Sequence, residues 1–303
     1  MSRKILSLIV FFSLVSSAAF AQSNLLNAKT ADQIGKKTAA QDSLDNDKPL
    51  PYGYVGDRDV LLARKVWERI DLNQRVNFPM YFPIKGNLGS DRKPLYDVLV
   101  EGVRSGTITE VYDDSYFVTR KTLKDIEESL TFTDTTDAGI EQYNTDIKAY
   151  KSGKKTISPE YINRTDIKAI DVEGYEIVGY WYFDKRQGEL KYRMLGIAPI
   201  VPDVFTMGKE EKEYIRIFWV FFPAARDVLH KYKAFNEENS ASAITFDHLL
   251  NSRRFNGVII AEENVYGDRL IENYLKENSQ MQLLEAERIK EKIRNFEQDM
   301  WNY

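Results

Sequence analysis

The chain of 303 residues contains no cysteine. This absence excludes disulfide bonds, a thiol nucleophile, a thiolate-bound metal ion and a lipid-modified cysteine at a mature N-terminus. We therefore expect a mature protein that is not attached to a membrane by its own covalent chemistry.

Histidine is nearly as scarce, because the chain contains only His230 and His248. Neither has an Asp, Glu or His partner at the spacing of a metal site. The sequence also lacks an H-E-x-x-H zinc motif, a G-x-S-x-G nucleophile elbow and a glycine-rich nucleotide-binding motif. We expect structural roles for both histidines, and no cofactor or metal.

Long apolar runs are also lacking. The clearest one, Ile5–Phe20, follows the basic pair Arg3–Lys4 and is shorter than the ~20 residues that cross a bilayer. Ala19–Ala21 has the small-x-small pattern of signal peptidase sites. The sequence therefore predicts a secretory signal peptide at residues 1–21, cleaved after Ala21. A retained transmembrane helix is the alternative.

The chain has no excess of positive charge. Removing Arg3 and Lys4 with the signal peptide leaves 40 of the 42 basic residues against 46 acidic ones, a net charge of −6. This balance argues against a general nucleic-acid binder. Aromatic residues are plentiful at 13%, with 18 tyrosines, and Tyr and Trp often lie at interfaces.

Carboxylate pairs are the remaining candidates for chemistry. Asp113–Asp114 and Glu262–Glu263 are adjacent pairs, while Asp184 and Glu189 flank a predicted turn. A glycosidase needs two carboxyl groups roughly 5–10 Å apart across a cleft, but adjacent residues of an extended chain point to opposite faces. The sequence therefore favours a non-enzymatic protein.

The chain divides into three parts by composition. After the signal peptide, residues 22–56 are polar and end in a proline-containing turn, which predicts a flexible N-terminal arm. Residues 57–303 form the folded domain. Within that domain, residues 131–161 are rich in Thr, Asp, Gly, Ser and Lys and predict a long exposed loop.

Apolar residues at spacings of three and four predict several helices. In chain order these are a helix from Asp57 with Val60, Ala63, Trp67 and Ile70, one opened by Pro94 with Leu95, Val98 and Leu99, one with Leu123, Ile126 and Leu130, one at "ARDVLHKY", one with Leu270, Ile271, Tyr274 and Leu275, and one capped by Ser279 and Gln282 with Ala286, Ile289, Ile293, Phe296 and Met300. We expect the last helix to pack on the domain's own sheet, with another chain as the alternative.

Strand patterns lie between the predicted helices. Tyr175–Ile200 predicts a hairpin whose first strand is apolar on both faces and should be covered on both sides. Glu213–Pro223 and Phe255–Val265 predict further strands, and a small hairpin surrounds Asp113–Asp114. Together these elements predict an α+β domain with a mostly antiparallel sheet, flanking helices and a C-terminal helical segment.

Three clusters rich in aromatic residues and arginine are candidate contact surfaces, since these residue types are enriched at interface cores. A solvated turn is the alternative for the second cluster. The clusters are Trp181 with Tyr182 and Phe183, Arg253 with Arg254 and Phe255, and the terminal Trp301 with Tyr303.

Five blocks of the sequence, in order, resemble the gliding motility protein family GldN, also termed PorN. They cover nearly the whole folded part of the chain. The blocks are "VWERIDLNQRVNFPMYFP" (Val66–Pro83), "WYFDKRQGELKYRMLGIAPI" (Trp181–Ile200), "FWVFFPAARDVL" (Phe218–Leu229), "RRFNGVIIAEENVYGDR" (Arg253–Arg269) and "LLEAERIKEKIRNFEQDMWNY" (Leu283–Tyr303).

This resemblance implies a periplasmic core component of the type IX secretion system of Bacteroidetes. Members of the family form a ring beneath the outer membrane with the lipoprotein GldK (PorK), and they contact the periplasmic part of GldM (PorM). The cysteine-free chain fits this arrangement because the partner supplies the lipid anchor. The family implies no catalytic residues. The alternatives are a peptidoglycan-binding module and an enzyme that cleaves peptidoglycan through Glu262 or Glu263.

Overall fold

The computed structural model describes residues 48–83, 93–147, 150, 156–206, 212–235, 244–276 and 278–301, without the side chains of residues 132–134, 165 and 301. The chain divides into two compact units. One of them, Met1–Lys48 with Asn87–Arg92, lies outside the described residues apart from Lys48. The other, Pro49–Gly86 with Lys93–Tyr303, contains the sheet and helices described here. The predicted signal peptide, its cleavage after Ala21 and residues 22–47 of the predicted arm therefore lie outside the described residues.

A seven-stranded antiparallel sheet forms the centre of the domain. The strands of the described chain are β1 (Val60–Asp71), β2 (Val111–Tyr112), β3 (Thr131–Thr135), β4 (Ile162–Asp166), β5 (Gly174–Asp184), β6 (Glu189–Pro202), β7 (Tyr214–Arg216), β8 (Trp219–Phe221), β9 (Lys233–Ala234), β10 (Ile244–Thr245) and β11 (Val258–Glu262). The central sheet has the order β11-β1-β5-β6-β8-β2, and β7 also pairs with β6. β3–β4 and β9–β10 form separate two-stranded ribbons.

The helices pack mainly on the central strands and on one another. The described α-helices are α1 (Phe78–Tyr81), α2 (Leu95–Arg104), α3 (Leu123–Leu130), α4 (Asp137–Thr145), α5 (Phe222–Lys231), α6 (Phe246–Asn251), α7 (Ile271–Tyr274) and α8 (Ser279–Trp301). Helices α5 and α6 contact β6, α2 contacts α5, and α8 lies against β11. This order confirms the predicted α+β class.

One face of the central sheet is covered by these helices, and we term it the covered face. Ile70 and its cross-strand partner Tyr175 belong to the main apolar core, together with residues of α2, α5 and α6. Val66 and Ile259 belong to a second cluster with Ala286 and other residues of α8. Each fully buried aliphatic or aromatic side chain contributes about 1.5–3 kcal/mol to this packing.

The opposite face, which we term the open face, has a smaller cluster and no covering helix among the described residues. Its buried members are Trp67, Tyr112, Val178, Ala198, Trp219 and Ala261. Phe117, from the loop at residues 113–120, packs on this cluster. Within the described residues, helices therefore cover one face of the sheet, whereas a loop packs on part of the other.

The predicted first helix is wrong, because Val60–Asp71 forms strand β1. A helix with Val60, Ala63, Trp67 and Ile70 on its buried face would leave the charged residues between them in solvent, but Lys65 and Glu68 are buried. The Lys65 ammonium lies 4.9 Å from the ring centroid of Trp67, and Glu68 pairs with Arg253. These tertiary partners allow charged residues inside the sheet, so the apparent helical period had no structural meaning.

Residues 131–161 hold more regular structure than their composition predicts. β3 begins this segment and pairs with β4, which follows it, while α4 lies between the two strands. The hydroxyl of Thr136 caps α4 by accepting from the Gly139 amide at 3.4 Å. Threonine suits both strands and helix caps, so a threonine-rich segment is a poor indicator of irregular structure.

Most other predicted elements are confirmed. Helix α2 follows Pro94, and α3 buries Ile126 and Leu130. The predicted hairpin is β5–β6, and β5 is buried on both faces along most of its length. The predicted strand Glu213–Pro223 is divided into β7 and β8.

The C-terminal helix packs on the domain's own sheet, as expected. Ala286, Ile289 and Ile293 are buried in the cluster that α8 shares with β1 and β11. Its N-terminal cap differs from the prediction, because Asn278 rather than Ser279 accepts a backbone hydrogen bond at the helix start, from Met281 at 3.0 Å.

We predict that Gly179→Ala destabilises the fold. A Cβ at this position would lie 2.5 Å from the carbonyl oxygen of Arg193 and 2.5 Å from the hydroxyl oxygen of Tyr192. Overpacking of this kind lowers the free energy of unfolding by about 1–3 kcal/mol, measurable by chemical denaturation. Gly53→Ala is the control, because its Cβ meets nothing within 4 Å. Equal stabilities of the two variants would contradict the packing described here.

Candidate interaction surfaces

Arg253 forms an ion pair with a buried carboxylate, and its guanidinium lies among aromatic rings. Its Nη2 lies 2.6 Å from Oε2 of Glu68, which is 1% exposed. The guanidinium carbon lies 4.1 Å from the ring centroid of Tyr192, 4.9 Å from that of Trp181 and 5.1 Å from that of Phe255. Such cation–π contacts strengthen when they are desolvated. We term these five residues the arginine cage.

Three separate parts of the fold position the arginine cage. Trp181 and Tyr192 are cross-strand partners in the β5–β6 hairpin, with ring centroids 5.1 Å apart. Glu68 comes from β1. Arg253 follows α6 with a φ of 52°, a left-handed conformation that few residues other than glycine adopt. The cage therefore ties the end of α6 to the centre of the sheet.

The polar atoms of the cage are not all hydrogen-bonded within the protein. Glu68 Oε1, the Tyr192 hydroxyl and Arg253 Nη1 are buried without a protein partner. Burial, followed by the charge of Glu68, raises the pKa of the Tyr192 hydroxyl. Either charge of the pair would be strongly unfavourable alone in this environment.

The structure places the predicted contact residues in three different situations. Tyr182 and Phe183 are only 9% and 5% exposed, and the half-buried Arg253 contacts the rings of Trp181 and Phe255. Arg254 is exposed. The side chain of Trp301 and all of Tyr303 lie outside the described residues. Of the set, Arg254 is the described residue most accessible to a partner.

Tyr52 forms a contact that the sequence did not predict, and we term it the tyrosine clip. Its ring lies between two guanidinium groups, 4.2 Å from Arg226 and 4.4 Å from Arg193. Its hydroxyl donates to Asn251 Oδ1 at 2.7 Å. Arg226 is fixed by two hydrogen bonds to the buried Asp247, at 2.7 and 3.0 Å. Burial raises the pKa of the Tyr52 hydroxyl.

The tyrosine clip lies within the region predicted to be a flexible arm. The sequence feature that could have indicated an ordered contact here is the pair of prolines at Pro49 and Pro51, which stiffens the backbone directly before Tyr52. The clip attaches this end of the arm to the helices of the covered face.

Two loops meet above the centre of the open face. The Tyr116 hydroxyl, from the 113–120 loop, donates to Asp268 Oδ2 at 3.0 Å. Its ring lies 5.8 Å from that of Trp67 and 4.5 Å from the Lys65 ammonium. Burial together with the hydrogen bond to Asp268 raises the pKa of Tyr116 to about 12. Burial also lowers the pKa of Lys65, although Glu263 and Asp268 oppose this change.

Exposed apolar side chains surround this junction. Val118 and Val265 are 79% and 92% exposed, and Tyr266 is exposed as well. Further along the same face is an apolar groove of about 270 Å³, which we term the arm-side groove. It is lined by Val55, Val60, Ala63, Tyr180, Tyr182, Arg193 and Leu195. The open face therefore presents apolar surface at two places.

A polar cleft of about 480 Å³ lies at the other end of the sheet. It contains the ion pair of Glu176 with Arg216, at 3.0 Å, together with Arg69, Asp71 and Glu272. Charges of both signs are interleaved in this cleft. Among the described residues, no group of three or more His, Asp or Glu side chains is placed to hold a metal ion.

The carboxylates and histidines considered in the sequence lie in different parts of the domain, although Asp184 and Glu189 are cross-strand partners that both lie beside Lys191. Glu262 lies near Lys292 of α8 at 4.0 Å, on the covered face, whereas Glu263 interacts with Lys65 of the open face. His230 Nδ1 lies 3.9 Å from Asp247 Oδ2. None of the helices in the described part of the chain is long and apolar enough to cross a membrane.

We predict that Arg253→Ala and Arg254→Ala have very different effects on stability. Arg253→Ala leaves Glu68 charged and buried, which should lower the free energy of unfolding by about 3–5 kcal/mol. Arg254 is exposed, so its replacement should change that free energy by less than about 0.5 kcal/mol. Denaturant titration of both variants measures this difference. Similar losses in both would contradict the arginine cage.

Comparison with known proteins identifies the family of the chain. A search of curated proteins found no match. The family described as "Gliding motility associated protein GldN" matches residues 55–302, which include the sheet, its helices and the arginine cage but not Tyr52. The chain therefore belongs to the GldN family, which associates it with gliding motility and type IX secretion.

Proposed function

We propose that this chain is a non-enzymatic structural subunit of the periplasmic ring of the type IX secretion and gliding machinery. In this proposal it assembles with a GldK/PorK-like outer-membrane lipoprotein and with further copies of itself. It also contacts the periplasmic part of a GldM/PorM-like protein. Family membership supports the machinery, and the open face supports the structural role.

The exposed apolar surface of the open face is the main structural support for this function. β5 is buried on both sides, but the helices of the described chain pack on the covered face. Val118, Val265 and Tyr266 remain exposed around the open face. Contiguous exposed apolar surface marks protein–protein contacts, and obligate contacts typically bury more than ~2,000 Å². A subunit built for assembly needs such a surface.

The predicted signal peptide supports export to the periplasm. A chain without cysteine cannot carry an N-terminal lipid anchor of the lipoprotein type. Attachment to the inner side of the outer membrane is therefore assigned, in this proposal, to the lipoprotein partner.

We predict that charges introduced on the open face weaken assembly. Val118→Asp with Val265→Asp should weaken binding to the lipoprotein, expressed without its lipid, roughly tenfold or more, about 1.4 kcal/mol. Light scattering of the mature chain alone and mixed with that partner measures the change. The matched control is Leu123→Asp with Ile170→Asp, two exposed residues beside the main core of the covered face.

A larger mixed species should form with the unaltered chain and the control, and less of it with the open-face variant. Equal assembly by both variants would show that the open face is not the contact. No mixed species with the unaltered chain would contradict the proposed partnership.

We predict that catalytic carboxylates are not required. A chain with Glu262→Gln and Glu263→Gln should support secretion as well as the unaltered chain, because the two side chains lie on opposite faces of the sheet. Loss of secretion with normal folding would favour the peptidoglycan-cleaving alternative.

The peptidoglycan-binding alternative predicts that the mature chain sediments with purified sacculi. We expect the chain to remain in the supernatant.

A further inference from the structure

The arm-side groove lies beside the place where the chain enters the described fold. All of its lining residues except Arg193 are apolar or aromatic, and the groove opens to solvent. No other segment of the described residues fills it. A groove with this lining suits apolar side chains presented by a short segment of polypeptide.

The tyrosine clip determines the side from which the chain arrives. Tyr52 packs against the core of the covered face, whereas Val55, three residues later, lines the groove on the open face. The backbone therefore passes around the edge of the sheet between them. Arg193 holds this crossing by donating to the Gly53 carbonyl oxygen at 3.3 Å. Leu50, just before the clip, is 81% exposed.

We propose that residues 22–47 of one copy bind in the arm-side groove of a neighbouring copy. This inference rests on the proposed function, in which copies of the chain lie side by side. The segment has about 26 residues, which reach roughly 90 Å when fully extended. It carries Leu25, Leu26 and Ile34 among polar residues. These are the types of side chain that the groove accepts.

The geometry of the clip favours a neighbour's groove over the chain's own. Tyr52 is fixed on the covered face, whereas the groove opens on the open face. A segment that continues from Tyr52 towards the N-terminus would therefore have to cross the edge of the sheet a second time to enter the groove of its own copy. A contact between two different patches is heterologous, and it closes into a ring when the rotation between copies permits. Because the arm is tethered to its own subunit, its effective concentration near a neighbouring groove is high within an assembly, so a groove of this small size is sufficient for binding.

The absence of cysteine makes disulfide trapping a direct test of this contact. Mature chain with Leu26→Cys is mixed with differently tagged mature chain carrying Ala63→Cys, with and without the lipoprotein lacking its lipid. The control uses Ile170→Cys, an exposed position beside the core of the covered face. After oxidation, at least one mixture should contain tenfold more linked dimer with Ala63→Cys than with the control.

Two results would overturn the inference. One is linkage no greater than the control in both mixtures. The other comes from a single chain with Leu26→Cys and Ala63→Cys, if it forms the bond only within itself, which would place the arm in its own groove. If the mixed species of the light-scattering experiment forms without linkage between copies, the proposed function stands and this inference fails. Linkage without that species supports the arm contact and contradicts the lipoprotein partnership.

Discussion

The burial of β5 on both of its faces is the constraint on which the rest of the fold depends. A strand that is apolar above and below needs cover on both sides of the sheet, and among the described residues the chain supplies helices to one side. On the other side, the 113–120 loop and the turn at residues 264–268 meet above Lys65. The remaining apolar surface there is unmatched by the described chain. In the proposed function, assembly is the physical reason for a subunit to keep such a surface.

The arginine cage shows how the same residue types serve either a core or a contact surface. Composition marked Trp181, Arg253 and Phe255 as candidates for an interface, and the structure brings them together around Glu68 instead. Their contacts hold the end of α6 against the sheet and so stabilise the scaffold. The neighbouring Arg254 shares the sequence context but points to solvent. The two adjacent arginines therefore have different roles, because Arg253 stabilises the fold and Arg254 is exposed at the surface.

The hairpin, α2, α3 and the docking of α8 could be predicted from the sequence because their apolar patterns reflect local periods and burial. β1 could not, since its buried Lys65 and Glu68 depend on partners at Tyr116 and Arg253, which are distant in the chain. The tyrosine clip was missed for a similar reason. Tyr52 acquires its role only when α5 and α6 bring Arg226 and Asn251 to it. Single-sequence patterns do not contain such long-range pairings.

Hydrogen exchange of the mature chain, alone and in the mixed species with the lipoprotein, would show whether the open face is the surface of assembly. We predict slower exchange in the assembled state for residues 111–120 and 258–270, which border the open face. Exchange in α2 (Leu95–Arg104), beneath the covered face, should stay the same. Protection confined to the helices of the covered face, with the open-face segments unchanged, would contradict the claim that the open face is the surface of assembly.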